Sequence, residues 1–178
     1  MALNGIEEFV GEYLKIMEGC DFVKYNEKFT VATEDGHKQK GMSEADVIGI
    51  NLKDRTVFVC EVSAQMEGIY DTYPAKLDCG NPNNKFAKNQ RYIEEQFKDF
   101  ESKTVKYMFW CPILKEKQKE KFTLPNDDKL KVELIAGHDF LKKIDELKEY
   151  LATSKKDYAS PVIRFLQILA HLEKNRGK

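Results

Sequence analysis

Two carboxylates on neighbouring apolar runs are the residues whose type and spacing carry chemistry in this chain. Asp46 lies in Glu44-Ala45-Asp46-Val47-Ile48-Gly49-Ile50, and Glu61 lies in Thr56-Val57-Phe58-Val59-Cys60-Glu61-Val62-Ser63. Strand alternation places Asp46, Ile48 and Ile50 on one face of the first run, and Val57, Val59, Glu61 and Ser63 on one face of the second. An antiparallel hairpin centred on Lys53-Asp54 then pairs Leu52 with Arg55, Ile50 with Val57, Ile48 with Val59 and Asp46 with Glu61. Residues directly opposite one another have Cβ atoms roughly 5 Å apart. Two like charges at that separation repel and shift each other's pKa, and a fold that brings them together usually supplies a cation between them. The spacing therefore points to a metal site. The competing arrangement has Asp46 at a frayed strand start and Glu61 facing solvent. Against it, Glu61 sits in a run that is apolar on both faces, as in a strand covered on both sides, where a bare carboxylate is costly.

The elements that must position these acids are readable along the chain. Leu3 to Met17 is an amphipathic helix with Ile6, Phe9, Val10, Tyr13, Leu14 and Met17 on one side. Phe22 to Val31 reads as a first strand with a turn at Glu34-Asp35-Gly36. Gln65 to Asn84 carries Gly68, Pro74, Gly80 and Pro82 and reads as a long loop, in which Tyr70 and Tyr73 either stack on bases or pack the loop down. Asn84 to Phe100 is a helix with Phe86, Ile93, Phe97 and Phe100 on one stripe and Asn83 or Asn84 as cap. Thr104 to Pro112 and Leu130 to Ala136 are further strands. A helix with Phe140, Leu141, Ile144, Leu147 and Leu151 inward follows, with Asp139 as a candidate cap. A last helix starts at Ser160-Pro161, with serine as cap and proline at the first position. Its Val162, Ile163, Leu166, Leu169 and Leu172 either cover the sheet or form a dimer surface. This order implies one α/β domain over residues 1–178, a central mixed β-sheet flanked by helices on both faces, with helices 138–152 and 160–175 packed on the core.

The order of Asp46, the hairpin and Glu61-Val62-Ser63 resembles the core of the PD-(D/E)xK nuclease superfamily, the restriction endonuclease-like proteins. The resemblance covers roughly positions 1 to 115 in element order. The segment from Asn84-Lys85-Phe86 to Gln90-Arg91-Tyr92, with Gly68 and Tyr70 after Glu61-Val62-Ser63, is similar to one branch of these predicted nucleases. Ala45 stands at the loosely kept proline position. Ser63 stands where the family's lysine belongs, and a neutral hydroxyl alone cannot polarise water or stabilise a charged phosphate as that lysine does. Some members carry the lysine on the following helix instead. There, at about 100° per residue, Lys88 projects about 160° from the apolar stripe, while Lys85 lies about 100° away, close enough to snorkel back to the sheet. Lys85 is thus the candidate substitute, the alternative being an ordinary solvated lysine. Gln90, about 40° from the stripe centre on the same wheel, places an amide toward the core, where it needs partners. Gln65 continues the face of Glu61 and Ser63 and lines the site if the strand runs that far. The first helix of the superfamily often donates an acid, and Glu7, about 90° from the centre of its stripe, is the best-placed donor. Otherwise it is a solvated flank.

The resemblance implies a nuclease dependent on Mg2+ or Mn2+, hydrolysing phosphodiester bonds in DNA. Asp46, Glu61 and Glu7 are its metal ligands, and Lys85, Ser63, Gln65 and Gln90 assist. The alternative is a catalytically weakened relative that serves as a nucleic-acid-binding or assembly module. With 178 residues and 42% hydrophobic content the chain suits a single domain with a real core. Lys and Arg total 29 against 30 Asp and Glu, a net charge of -1, so any grip on nucleic acid is local and weak. Lys85, Lys88 and Arg91 form one candidate patch, the Lys115 to Lys121 run with its interleaved glutamates a second and the tail from Lys174 to Lys178 a third, and a homodimer is one way to strengthen the grip. No signal peptide and no apolar run of the ~18 residues needed for a membrane span are found, so a cytoplasmic protein with no membrane partner is expected. Cys20, Cys60, Cys79 and Cys111 show no CxxC spacing and read as reduced thiols.

Overall fold

The computed structural model describes residues 5–31, 43–65, 84–100, 103–120, 124–126 and 130–176. Its elements in chain order are α1 (Gly5–Ile16), β1 (Phe22–Phe29), β2 (Ser43–Asn51), β3 (Thr56–Val62), α2 (Lys85–Gln96), β4 (Thr104–Cys111), the single turn α3 (Glu116–Lys119), β5 (Val132–Ala136), α4 (His138–Leu151) and α5 (Pro161–Arg176). The strands form one five-stranded mixed sheet in the order β1-β2-β3-β4-β5. The first three strands are an antiparallel meander, and β4 and β5 add in parallel. A parallel neighbour requires a crossover, and α2 lies within the one between β3 and β4.

The sheet is covered on both faces, as the apolar runs require. On one side Phe9, Val10, Tyr13 and Leu14 of α1, Phe140, Leu147 and Leu151 of α4 and Ile163 of α5 bury Val47, Phe58, Cys60, Met108 and Trp110. On the other, Phe86 and Ile93 of α2 bury Ile48, Val57, Val59, Tyr107 and Phe109. Fully burying each such side chain contributes roughly 1.5–3 kcal/mol. No helix among the described residues is long and apolar enough to cross a membrane.

The β2–β3 hairpin has the register expected from alternation: Ile50 pairs with Val57, Ile48 with Val59 and Val47 with Cys60. Asn51 locks its turn. The Asn51 carbonyl oxygen Oδ1 accepts from the Asp54 N–H at 2.8 Å, and Nδ2 donates to the Glu18 carbonyl at 2.8 Å. Arg55 closes the turn with φ +51°.

The β1–β2 ladder contains an irregularity that alternation does not predict. Tyr25 pairs with Val47 and Glu27 with Ala45, but the intervening Asn26 and Asp46 are unpaired, and Asn26 has φ +52°. Asparagine tolerates this left-handed backbone better than most residues. Across this point the ladder changes face: Val47 packs under α1, whereas Ala45 joins Ile48 in the α2-side core. Lys24 Nζ correspondingly meets Glu27 Oε2 at 2.6 Å, three residues along a strand.

Three expectations for the C-terminal helices are corrected. The N-cap of α4 is Gly137, at φ 52° and ψ -113°, and not Asp139, which lies inside the first turn. A glycine tolerates this backbone without a Cβ penalty, and the acid instead complements the helix dipole. Leu141 is 59% exposed because the buried face of α4 runs through Phe140, Leu147 and Leu151, one step away. In α5, Ser160 does act as cap, its Oγ accepting from the Ile163 N–H at 3.3 Å and donating to Glu8 Oε1 at 2.7 Å. Ile163, Gln167 and Ala170 form the buried line of α5, leaving Leu172 exposed with Phe165 and Ile168. The Gln167 amide explains the shift: Nε2 donates to the Lys156 carbonyl at 2.9 Å and Oε1 accepts from Arg164 at 2.9 Å, stitching α5 to the segment before it.

Candidate active site

The hairpin brings Asp46 and Glu61 to the same place. The ladder between β2 and β3 ends at Val47 and Cys60, and the two acids are the next residues on their strands. Both are buried, Glu61 completely. Asp46 stands where β2 leaves the regular ladder, and its carboxylate takes over a backbone role: Oδ2 accepts from the Val62 N–H at 2.7 Å. That bond fixes the side chain and leaves Oδ1 turned toward α2.

Lys85 arrives from the first turn of α2. Asn84 caps the helix with its Oδ1, which accepts from the Ala87 N–H at 2.8 Å. The Lys85 ammonium pairs directly with Glu61 Oε2 and lies 3.4 Å from Asp46 Oδ1. The substitute lysine expected on the following helix is thus beside both acids. Its side chain is only 22% exposed, as expected when a stem lies along the apolar sheet and its head reaches a polar site.

The amide that faces the site is Asn89, not Gln90. Asn89 is fully buried, and its Nδ2 donates to Glu61 Oε1 at 2.6 Å. Gln90 lies on the other flank of the stripe and donates to Glu94 Oε1 at 3.0 Å in an exposed i,i+4 pair. Sequence reasoning missed Asn89, although a signal was present. Asn89 follows Lys85 by four residues, and positions i and i+4 stack on one side of a helix.

The other candidates are placed as follows. Ser63 is buried just beyond β3; its N–H donates to the Trp110 carbonyl at 2.8 Å and its hydroxyl pairs with the Cys111 thiol. Gln65 is partly exposed, with a buried Oε1 that has no hydrogen-bond partner among the described residues. Glu7 does not join the acid pair. Its helix covers the opposite face of the sheet, its Oε2 accepts from Asn26 Nδ2 at 3.5 Å, and among the described residues no three His, Cys, Asp or Glu side chains cluster closely enough to hold a metal ion. Gly68, Tyr70, Tyr73 and Cys79 lie outside the described residues. Cys20, Cys60 and Cys111 are buried free thiols.

Electrostatically the site is a buried acid pair neutralised from one side. Burial pushes the Glu61 carboxyl up to about 8; the Lys85 ammonium pulls it down, Asp46 pushes it up, and burial prevails. One turn along α2, burial and the neighbouring Arg91 hold the Lys88 ammonium below its usual range. The donor set suits a hard cation, because two carboxylates converge on one point and Mg2+ is commonly held by one or two carboxylates with water completing the shell. On the amide whose Nδ2 holds Glu61, the oxygen Asn89 Oδ1 is buried and has no hydrogen-bond partner among the described residues.

Comparison with family models, with characterised proteins and with solved structures finds no match to this chain.

Proposed function

We propose that this chain is a PD-(D/E)xK-like nuclease that hydrolyses phosphodiester bonds in DNA with Mg2+ or Mn2+. The observation that carries the reading is the meeting of Asp46, Glu61 and Lys85 at one buried point from two strands and a helix. The order of elements, a helix, a three-stranded antiparallel meander, a helix and a parallel strand, is consistent with the resemblance in the first 115 residues. A divalent ion held by Asp46 and Glu61 would lower the pKa of a bound water and neutralise charge on the scissile phosphate. The chain's own residues supply the rest. The Val62 N–H and the Asn89 amide fix one oxygen of each acid, so the remaining oxygens point at a common place. Lys85 does the work for which Ser63 is unsuited, presenting a positive charge where charge develops on the phosphate. Lys88 and Arg91 on the same helix draw in the nucleic-acid backbone.

The test is metal-dependent cleavage of plasmid and single-stranded DNA. Asp46→Ala and Glu61→Ala are each expected to lower the rate at least ~100-fold, the scale of a lost charge-stabilising group. A pure wild-type protein that cuts neither substrate with Mg2+ or Mn2+ would sink the enzyme reading. A second reading, a nuclease-like binding module without turnover, is favoured by the Lys85 contact itself, which already neutralises the pair. It predicts DNA binding that survives Glu61→Ala, with no cleavage in any variant.

A further inference from the structure

Asn89 is the polar residue on α2 for which core packing gives no account. Its neighbours on the same helix face, Phe86 and Ile93, are fully buried apolar side chains, and a leucine between them would complete the stripe. Instead the position holds a fully buried amide that spends one donor on Glu61 Oε1 at 2.6 Å and leaves Oδ1 buried with no partner among the described residues. Leaving a buried acceptor unsatisfied costs stability, because its hydrogen bonds to water are lost and not replaced. Such an atom in a native core calls for a ligand or a role.

The hydrogen bond has a geometric consequence. With Oε1 held by Asn89, the Glu61 carboxylate cannot rotate freely, and Oε2 is the oxygen that faces Lys85 and, beyond it, Asp46 Oδ1. We infer that Asn89 is the positioning residue of the acid pair: its N–H sets the oxygen that Glu61 offers to a divalent cation, and its unpartnered oxygen is the acceptor for a water carried in with that cation. The inference rests on the metal reading above. It goes further by assigning a role to a residue that never touches the metal.

The experiment is calorimetric titration of the whole protein with MnCl2 alone, without nucleic acid. Wild type is compared with Asn89→Leu, Asn89→Ala and the apolar control Ile93→Val. Both Asn89 variants are expected to bind Mn2+ about 10–100-fold more weakly, the usual cost of removing a group that orients a metal ligand, while Ile93→Val binds as wild type. Asn89→Ala adds no bulk, so it keeps the test decisive should the leucine not be accommodated. Asn89 variants that bind within about threefold of wild type, well short of that cost, would overturn the inference and leave the metal site standing. Equal weakening in Ile93→Val would also overturn it, by showing a loosened helix instead of a lost orientation. A wild-type protein that binds no Mn2+ overturns both the inference and the reading beneath it.

Discussion

The Lys85 ammonium sits against Glu61 Oε2 and Asp46 Oδ1, so a divalent ion held by these acids, as proposed, would have to compete with it for the same oxygens. Lys85→Met therefore has effects of opposite sign. Without metal it leaves two buried acids facing each other and lowers stability by about 3 kcal/mol at alkaline pH, the scale for breaking a buried pair. With Mn2+ present the competitor is gone, and the metal-induced rise in Tm is expected to exceed that of wild type. An equal or smaller rise would mean that Lys85 does not contest the site. Glu61 also makes stability depend on pH. Its folded pKa, about 8, lies above the ordinary 4.5, so its favourable contribution is fully present below about pH 4.5 and is lost as pH rises through 8. Metal-free wild type is expected to lose up to roughly 1.4 kcal/mol per pH unit across that window relative to Glu61→Gln, read from urea unfolding at pH 5, 6.5 and 8. At this scale the sequence was partly legible. The two acids followed from alternation, and Lys85 from the family resemblance with a helical wheel, but Asn89 and Gln90 flank the same stripe on opposite sides. Only the placement of α2 over Glu61 decides between them.

The elements hold the site through two kinds of contact that substitutions can separate. Asn84 caps the turn that carries Lys85, and its loss to alanine is expected to cost about 1 kcal/mol and, by fraying that turn, to slow cleavage several-fold. Gly49 serves packing alone. A Cβ there would lie 2.9 Å from Cys20 Sγ and 2.9 Å from Leu14 Cδ1, so Gly49→Ala forces these two side chains to shift where they pack on the sheet. Its expected cost is about 1–3 kcal/mol, with the cleavage rate per folded molecule unchanged. If both variants slow cleavage alike, the cap has no special part in the site. The hairpin register was legible because the short Leu52-Lys53-Asp54-Arg55 turn fixes which residues of the two strands stand opposite. The change of face at Asn26 and Asp46 was not, because a single left-handed residue leaves no trace in the pattern of apolar side chains.

Over the whole molecule, charge sets how the site would meet its substrate. The net charge of -1 provides no general attraction to a polyanion. Lys85, Lys88 and Arg91 are gathered on one helix, and Lys88 already feels Arg91, an arrangement that a phosphate between them would relieve. A duplex bound there contacts few phosphates, and each neutralised phosphate contributes about 0.9 to the slope of log K against log salt. Fluorescence anisotropy of a labelled duplex without divalent ions is therefore expected to give weak binding with a slope of about -2 to -3. Lys88→Ala and Arg91→Ala should each reduce its magnitude by about 1. A slope steeper than about -6 would need about seven phosphate contacts, more than twice what this helix can make, and would move the nucleic-acid interface to another part of the chain. A slope near -2 that loses about one unit in each variant ties the interface to the helix that carries Lys85 into the acid pair.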